Sequence, residues 1–88
     1  MLNLAVYPFM PIFHIHLFND EDIIDDDGQE FADAAAAKAH AVRSGREIVA
    51  EHVLFGRRIN LAHRLVIEDD QRQLLETVYF RDVLDFDG

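Results

Sequence analysis

The chain contains no cysteine, which excludes disulfides, thiolate metal centres and cysteine nucleophiles, and fits a reducing compartment. Other nucleophiles are scarce. Ser44, Thr77 and Lys38 are the single serine, threonine and lysine. Ser44 falls inside a helical stretch rather than on a strand-to-helix elbow. His40 lies four residues before it on the same helix face, but nothing nearby supplies an oxyanion hole. The four glycines stand apart from one another, so no glycine-rich loop can cradle a phosphate. No catalytic residue and no cofactor is assigned on this reading, and the chain is not read as an enzyme.

Positive charge is also short. Eight Lys and Arg face seventeen Asp and Glu, for a net charge of −9. Binding to nucleic acid depends on neutralising phosphates, so direct nucleic-acid binding is not expected. Arg57, Arg58 and Arg64 lie close in sequence and read as surface arginines flanking a turn, with a small positive patch as the sharper alternative. Long apolar runs are missing. The opening "MLNLAVYPFMPIF" lacks a basic region and a small-residue cleavage site, and falls short of the roughly 20 apolar residues a bilayer requires. The reading is a cytoplasmic protein without membrane contact.

Half of the 88 residues are apolar and 28% are charged, a globular composition for one small domain. "PIFHIHLF" is rich in strand formers. Its alternation places Phe13, Ile15 and Leu17 on one face, and Ile12, His14, His16 and Phe18 on the other. "DIIDDDGQEF" reads as a short hairpin turning at Asp27-Gly28. Asp33 suits a helix N-cap, and the alanine-rich run after it predicts a helix over 34–55 closed by Gly56. Ala35, Ala39, Val42, Val49 and Val53 define its expected buried stripe, with Arg46 laying its stem along the same side. Gly45 predicts a bend or a close helix–sheet approach. "NLAHRLVIE" and "QLLETVYFRDVL" supply two further strands around the turn "DDQRQ". The order β-β-α-β-β gives an α+β fold: a four-stranded antiparallel sheet with one long helix on one face.

These features in this order, Met10-Pro11, His14, Asp27-Gly28, Asp33, Arg46-Glu47, Asp69-Asp70 and the closing segment Val78 to Asp82, resemble a family of short bacterial proteins of unknown function frequent in rhizobia and other alphaproteobacteria. The resemblance covers residues 10 to about 84 and implies a bacterial cytosolic origin, with no mechanism attached. Gln71 stands where the family commonly has glycine. Residues 1–9 precede the usual Met-Pro start and are expected to be a poorly ordered extension of a domain spanning 10–88.

Two stretches carry candidate chemistry. His14 and His16 project from one strand face about 6.5 to 7 Å apart, a spacing at which two imidazoles share a divalent metal. The competing reading is a half-wet outer face on which they pack with Ile12 and Phe18. Seven acidic residues lie within Asp20 to Glu30. Aligning a calcium-loop glycine on Gly28 puts Ile23 and Ala34 at ligand positions, so that motif fails. The acid run reads as a solvated hairpin.

One helix covers one side of a sheet. The other side therefore exposes Ile12, Phe18, Leu75 and Tyr79, an expected interface that a homodimer would bury. The functional reading is a non-catalytic, self-associating module that docks an unidentified protein partner. A metal-binding or metal-sensing protein using His14 and His16 is the alternative, and an antitoxin-like regulator a third.

Overall fold

The structure, a computed structural model, describes residues 10–87, so the expected extension over 1–9 lies outside the described residues. The chain runs β1 (Ile12–Phe18), β2 (Asp22–Ile23), β3 (Gln29–Glu30), α1 (Ala34–Leu54), β4 (Arg64–Glu68), β5 (Leu74–Tyr79) and a closing 3-10 helix, Phe80–Val83. The α+β architecture is the expected one: one long helix on an antiparallel sheet.

The sheet has five strands rather than four, because the acidic segment does not form a hairpin with itself. β2 and β3 both pair with β1, at Leu17↔Ile23 and Phe18↔Asp22 for β2, and at Ile12↔Glu30 and Phe13↔Gln29 for β3. They are two short pieces of one edge, separated by residues 24–28. β4 pairs with the other side of β1 and β5 with β4, giving the order β2-β1-β4-β5. The last predicted strand ends at Tyr79. There the Asp82 carboxylate accepts the Tyr79 amide at 3.0 Å and turns the chain into the 3-10 helix, leaving Phe80 and Val83 buried.

The helix begins as Asp33 dictates, its Oδ1 accepting the Ala36 amide at 2.8 Å. It ends at Leu54, followed by Gly56 at φ +65°. Its buried face agrees with the expected one only at Val49 and, half-buried, at Val42. Ala37, Ala41, Gly45, Val49 and His52 face the core, while Ala35, Ala39 and Val53 are exposed. Alanines on every side of the first three turns leave the apolar stripe undefined, so tertiary contact sets the rotation. Gly45 is the point of closest approach: a Cβ there would stand 3.2 Å from Val83 Cγ1 and 3.4 Å from Leu65 Cδ1. Arg46 is exposed, its Nε–H donating to the Val83 carbonyl at 3.2 Å.

Phe13, Leu65, Ile67, Val78, Phe80 and Val83 complete the core beneath the helix. In the β4–β5 turn, Asp69 Oδ1 accepts the amides of Gln71 and Gln73, each at 2.9 Å. The left-handed residue is Arg72, at φ 64°.

A buried histidine pair and an open sheet face

β1 alternates as expected, but its outer face is not wet. His14 and His16 are only 5% and 4% exposed, because residues 24–28 fold back over them. One residue makes that fold possible. Asp25 Oδ1 accepts the Gly28 amide at 2.9 Å, and its Oδ2 accepts the Ile15 amide at 3.2 Å. That second bond takes up a β1 donor where neither β2 nor β3 reaches. The backbone of Asp25 engages both imidazoles: His14 Nδ1–H donates to its carbonyl at 2.7 Å, and its N–H donates to His16 Nδ1 at 3.0 Å.

This arrangement assigns tautomers. An imidazole nitrogen that accepts from an amide carries no proton, so neutral His16 holds its proton on Nε2. Nε2–H donates to Glu68 Oε1 at 2.8 Å. His14, donating from Nδ1 to a carbonyl, is the opposite tautomer. The two rings lie side by side, centroids 6.3 Å apart and 17° from parallel. Gly28, at φ +76°, is pressed against this layer: a Cβ there would meet Ile12 Cγ2 at 2.5 Å and His14 Cε1 at 3.0 Å.

As a metal centre the pair is poorly furnished. Both ring nitrogens of His16 are engaged within the chain, and among the described residues no three His, Cys, Asp or Glu side chains converge as ligands. Of the acidic run, Asp25 is partly buried, whereas Asp20, Asp22, Asp26 and Asp27 are exposed. His63 sits elsewhere, its ring edge-on to Phe80 and its Nε2 4.0 Å from Asp20. An open cleft of about 240 Å³ lies between the β1–β2 turn and the end of α1, with His52 and Arg57 in its wall. His52 Nδ1–H is committed to the Ile48 carbonyl at 2.8 Å.

The expected interface residues divide. Phe18 and Tyr79 lie in one row across the outer face with Arg64 between them, through the pairs Phe18↔Arg64 and Arg64↔Tyr79. Leu75 sits beside the irregularity where β5 pairs with Ile67 and Glu68, and is exposed together with Leu74. Ile12 is at the opposite end, half-buried and next to Gly28.

The sequence pattern missed Asp25 and Glu68 as partners of the histidines, and Arg81 as a neighbour of Tyr79. It did mark Arg64, though the structure stacks this residue on Phe18 at 4.9 Å, whereas Arg57 lies over Phe55 at 5.7 Å. Aspartates in a run look alike in sequence, and the choice among them comes from backbone geometry alone.

Fold and site together define a small α+β domain whose polar cluster is built to hold a loop on a sheet. The chain belongs to the family of a domain of unknown function, DUF6894, whose profile matches residues 12–81. No curated protein and no solved structure matches it. Among the described residues no helix is long and apolar enough to cross a membrane.

Proposed function

We propose that this domain is a non-catalytic protein-interaction module that self-associates through β5 and the sheet face beside it. The observation that carries this reading is the edge of β5, which has no strand partner among the described residues. Among the described residues that strand is the last in the sheet and pairs only with β4, while Leu74, Leu75 and Tyr79 along it are 64%, 44% and 36% exposed. An edge strand with free backbone groups and apolar side chains is a template for another chain. The opposite edge is built differently, in two-residue pieces bearing Asp22 and Glu30.

The histidine pair supports this reading by serving the fold. His14 and His16 anchor the acidic loop at Asp25, and the following Asp26 and Asp27 are exposed. A metal-binding role would require His16 to surrender a hydrogen bond at one ring nitrogen, and so ranks behind the interface.

Light scattering coupled to size-exclusion chromatography, run across a wide range of loading concentrations, tests the proposal. The expected result is a concentration-dependent dimer for the parent chain and a monomer for Leu75→Asp combined with Tyr79→Asp. A parent chain that stays monomeric throughout refutes it.

A further inference from the structure

The outer face is electrically two-ended. At one end lies the row Asp22, Phe18, Arg64, Tyr79. The Arg64 guanidinium lies 4.9 Å from the Phe18 ring centroid, and that of Arg81 lies 5.1 Å from the Tyr79 centroid. Aromatic faces hold both cations in place. Lys38, Arg43 and Arg72 all have carboxylates within ion-pair distance, and Arg46 bonds a carbonyl. Among the described residues Arg57, Arg58, Arg64 and Arg81 reach no carboxylate, in a chain with seventeen acids to eight bases, and of these four Arg64 and Arg81 lie at this end of the face.

The other end lies four residues along β4, about 13 Å away at ~3.3 Å per residue. Its row is His14, Glu68, Leu74. Above it sits the 24–28 loop with Asp26 and Asp27 exposed, and beside it the turn carrying Asp69 and Asp70. Arg72 joins loop to turn by donating to the Asp26 carbonyl at 3.3 Å. The middle row beyond His16, Val66 and Thr77, is uncharged.

We infer that the partner for this face is a second copy of the same chain. The two sheets meet face to face about a two-fold axis that lies in the interface at right angles to the strands. The basic end of each protomer, with Arg64 and Arg81, then lies over the acidic end of the other, with Asp26, Asp27 and the Asp69-Asp70 turn. This rests on the self-association reading above and specifies the surface and the pairing.

Charge and shape both select this arrangement. A two-fold contact places the same patch on both subunits, so residue i meets j and j meets i. Rotation about this axis reverses strand direction, setting the basic row over the acidic end twice, with Val66 and Thr77 on the axis. Turning the second sheet the other way would stack cation on cation and acid on acid. The loop also stands proud over His14 and His16, whereas among the described residues the row of Phe18, Arg64 and Tyr79 carries no such cover. Each raised end therefore seats on the partner's lower one. Because the contact relies on opposed charges near the surface, it weakens as salt rises.

Sedimentation equilibrium at low and high salt tests this with three chains: the parent, Arg64→Glu with Arg81→Glu, and Asp26→Arg with Asp27→Arg. The parent dimer is expected to weaken roughly tenfold or more in Kd at high salt. Each reversed chain alone is expected to be a monomer with an unchanged circular-dichroism spectrum. Their equimolar mixture should dimerise again, because both contacts then pair opposite charges. A parent dimer that both reversals leave intact, or reversed chains that stay monomeric when mixed, overturns this pairing while self-association stands. A monomeric parent overturns both readings, and binding of poly-glutamate by that monomer would assign the face to an external acidic protein.

Discussion

Replacing Asp25 with alanine is the most informative single perturbation of the histidine layer. The carboxylate accepts two backbone amides, Gly28 at 2.9 Å and Ile15 at 3.2 Å. Hydrogen bonds to a charged acceptor contribute about 1.5–3 kcal/mol each. Both sites are part-buried and one bond is long, so the lower end applies, giving roughly 3 kcal/mol for the pair. A domain of this size loses about 4–8 °C of Tm per kcal/mol, so Asp25→Ala should melt roughly 15 °C below the parent. Asp25→Asn keeps one acceptor and loses the other, and should fall near half that value. Urea unfolding followed by far-ultraviolet circular dichroism suits a chain with no tryptophan, at fixed protein concentration so that self-association does not enter. The controls are Asp26→Ala and Asp27→Ala, whose exposed side chains should move stability by no more than about 0.5 kcal/mol. Equal effects at all three positions would refute the assignment of Asp25 as the residue that holds the loop.

Gly28→Ala should destabilise by about 3 kcal/mol, since it combines a left-handed backbone with a Cβ 2.5 Å from Ile12 Cγ2. Gly56→Ala has a left-handed φ with open space around it and should cost only about 1 kcal/mol; urea midpoints separate the two. Gly45→Ala gains helix propensity but crowds Val83, so its effect should improve by at least ~0.5 kcal/mol when Val83→Ala is also present. An additive double-mutant cycle would disprove the contact. Asp33→Ala removes the N-cap acceptor and should cost about 1 kcal/mol. Nitrogen-15 shifts of the imidazoles at a pH where both are neutral should report the proton on Nδ1 in His14 and on Nε2 in His16; a shared tautomer contradicts the described hydrogen bonds.

The readable parts of the fold are those in which one residue acts alone on local backbone. Asp33 capped the helix as expected, Gly56 followed its end, and the alternation in β1 and β4 placed Phe13, Leu65 and Ile67 in the core. Where several residues offer the same chemistry, local pattern could not choose. The alanine-rich turns of α1 allow more than one face inward, and contact with Leu65 and Val83 at Gly45 selected a different one from the periodicity. The Ile23-Ile24 and Asp27-Gly28 signals suggested a hairpin. Its two arms instead found β1, which offered more partners than they offered each other. In the second turn the left-handed residue is Arg72, one position past the residue the family pattern pointed to. Burial of His14 and His16 depends on a cover that no alternation rule supplies. Of the expected interface, Phe18 and Tyr79 came together around an arginine that pattern alone left among turn-flanking surface residues.

The loop over β1 is fastened through a single residue whose amide, carbonyl and carboxylate all take part. Such a fastening has no half-open form: releasing any one of these bonds moves the backbone that makes the others. The amides of Ile15, Asp25 and Gly28 should therefore exchange with solvent deuterium as one unit, with a common opening free energy below that of global unfolding. His16, which accepts from the Asp25 amide, also donates to Glu68 on the neighbouring strand, so loop and sheet share one hydrogen-bonded chain. The layer that hides two histidines thus couples one edge of the sheet to its centre.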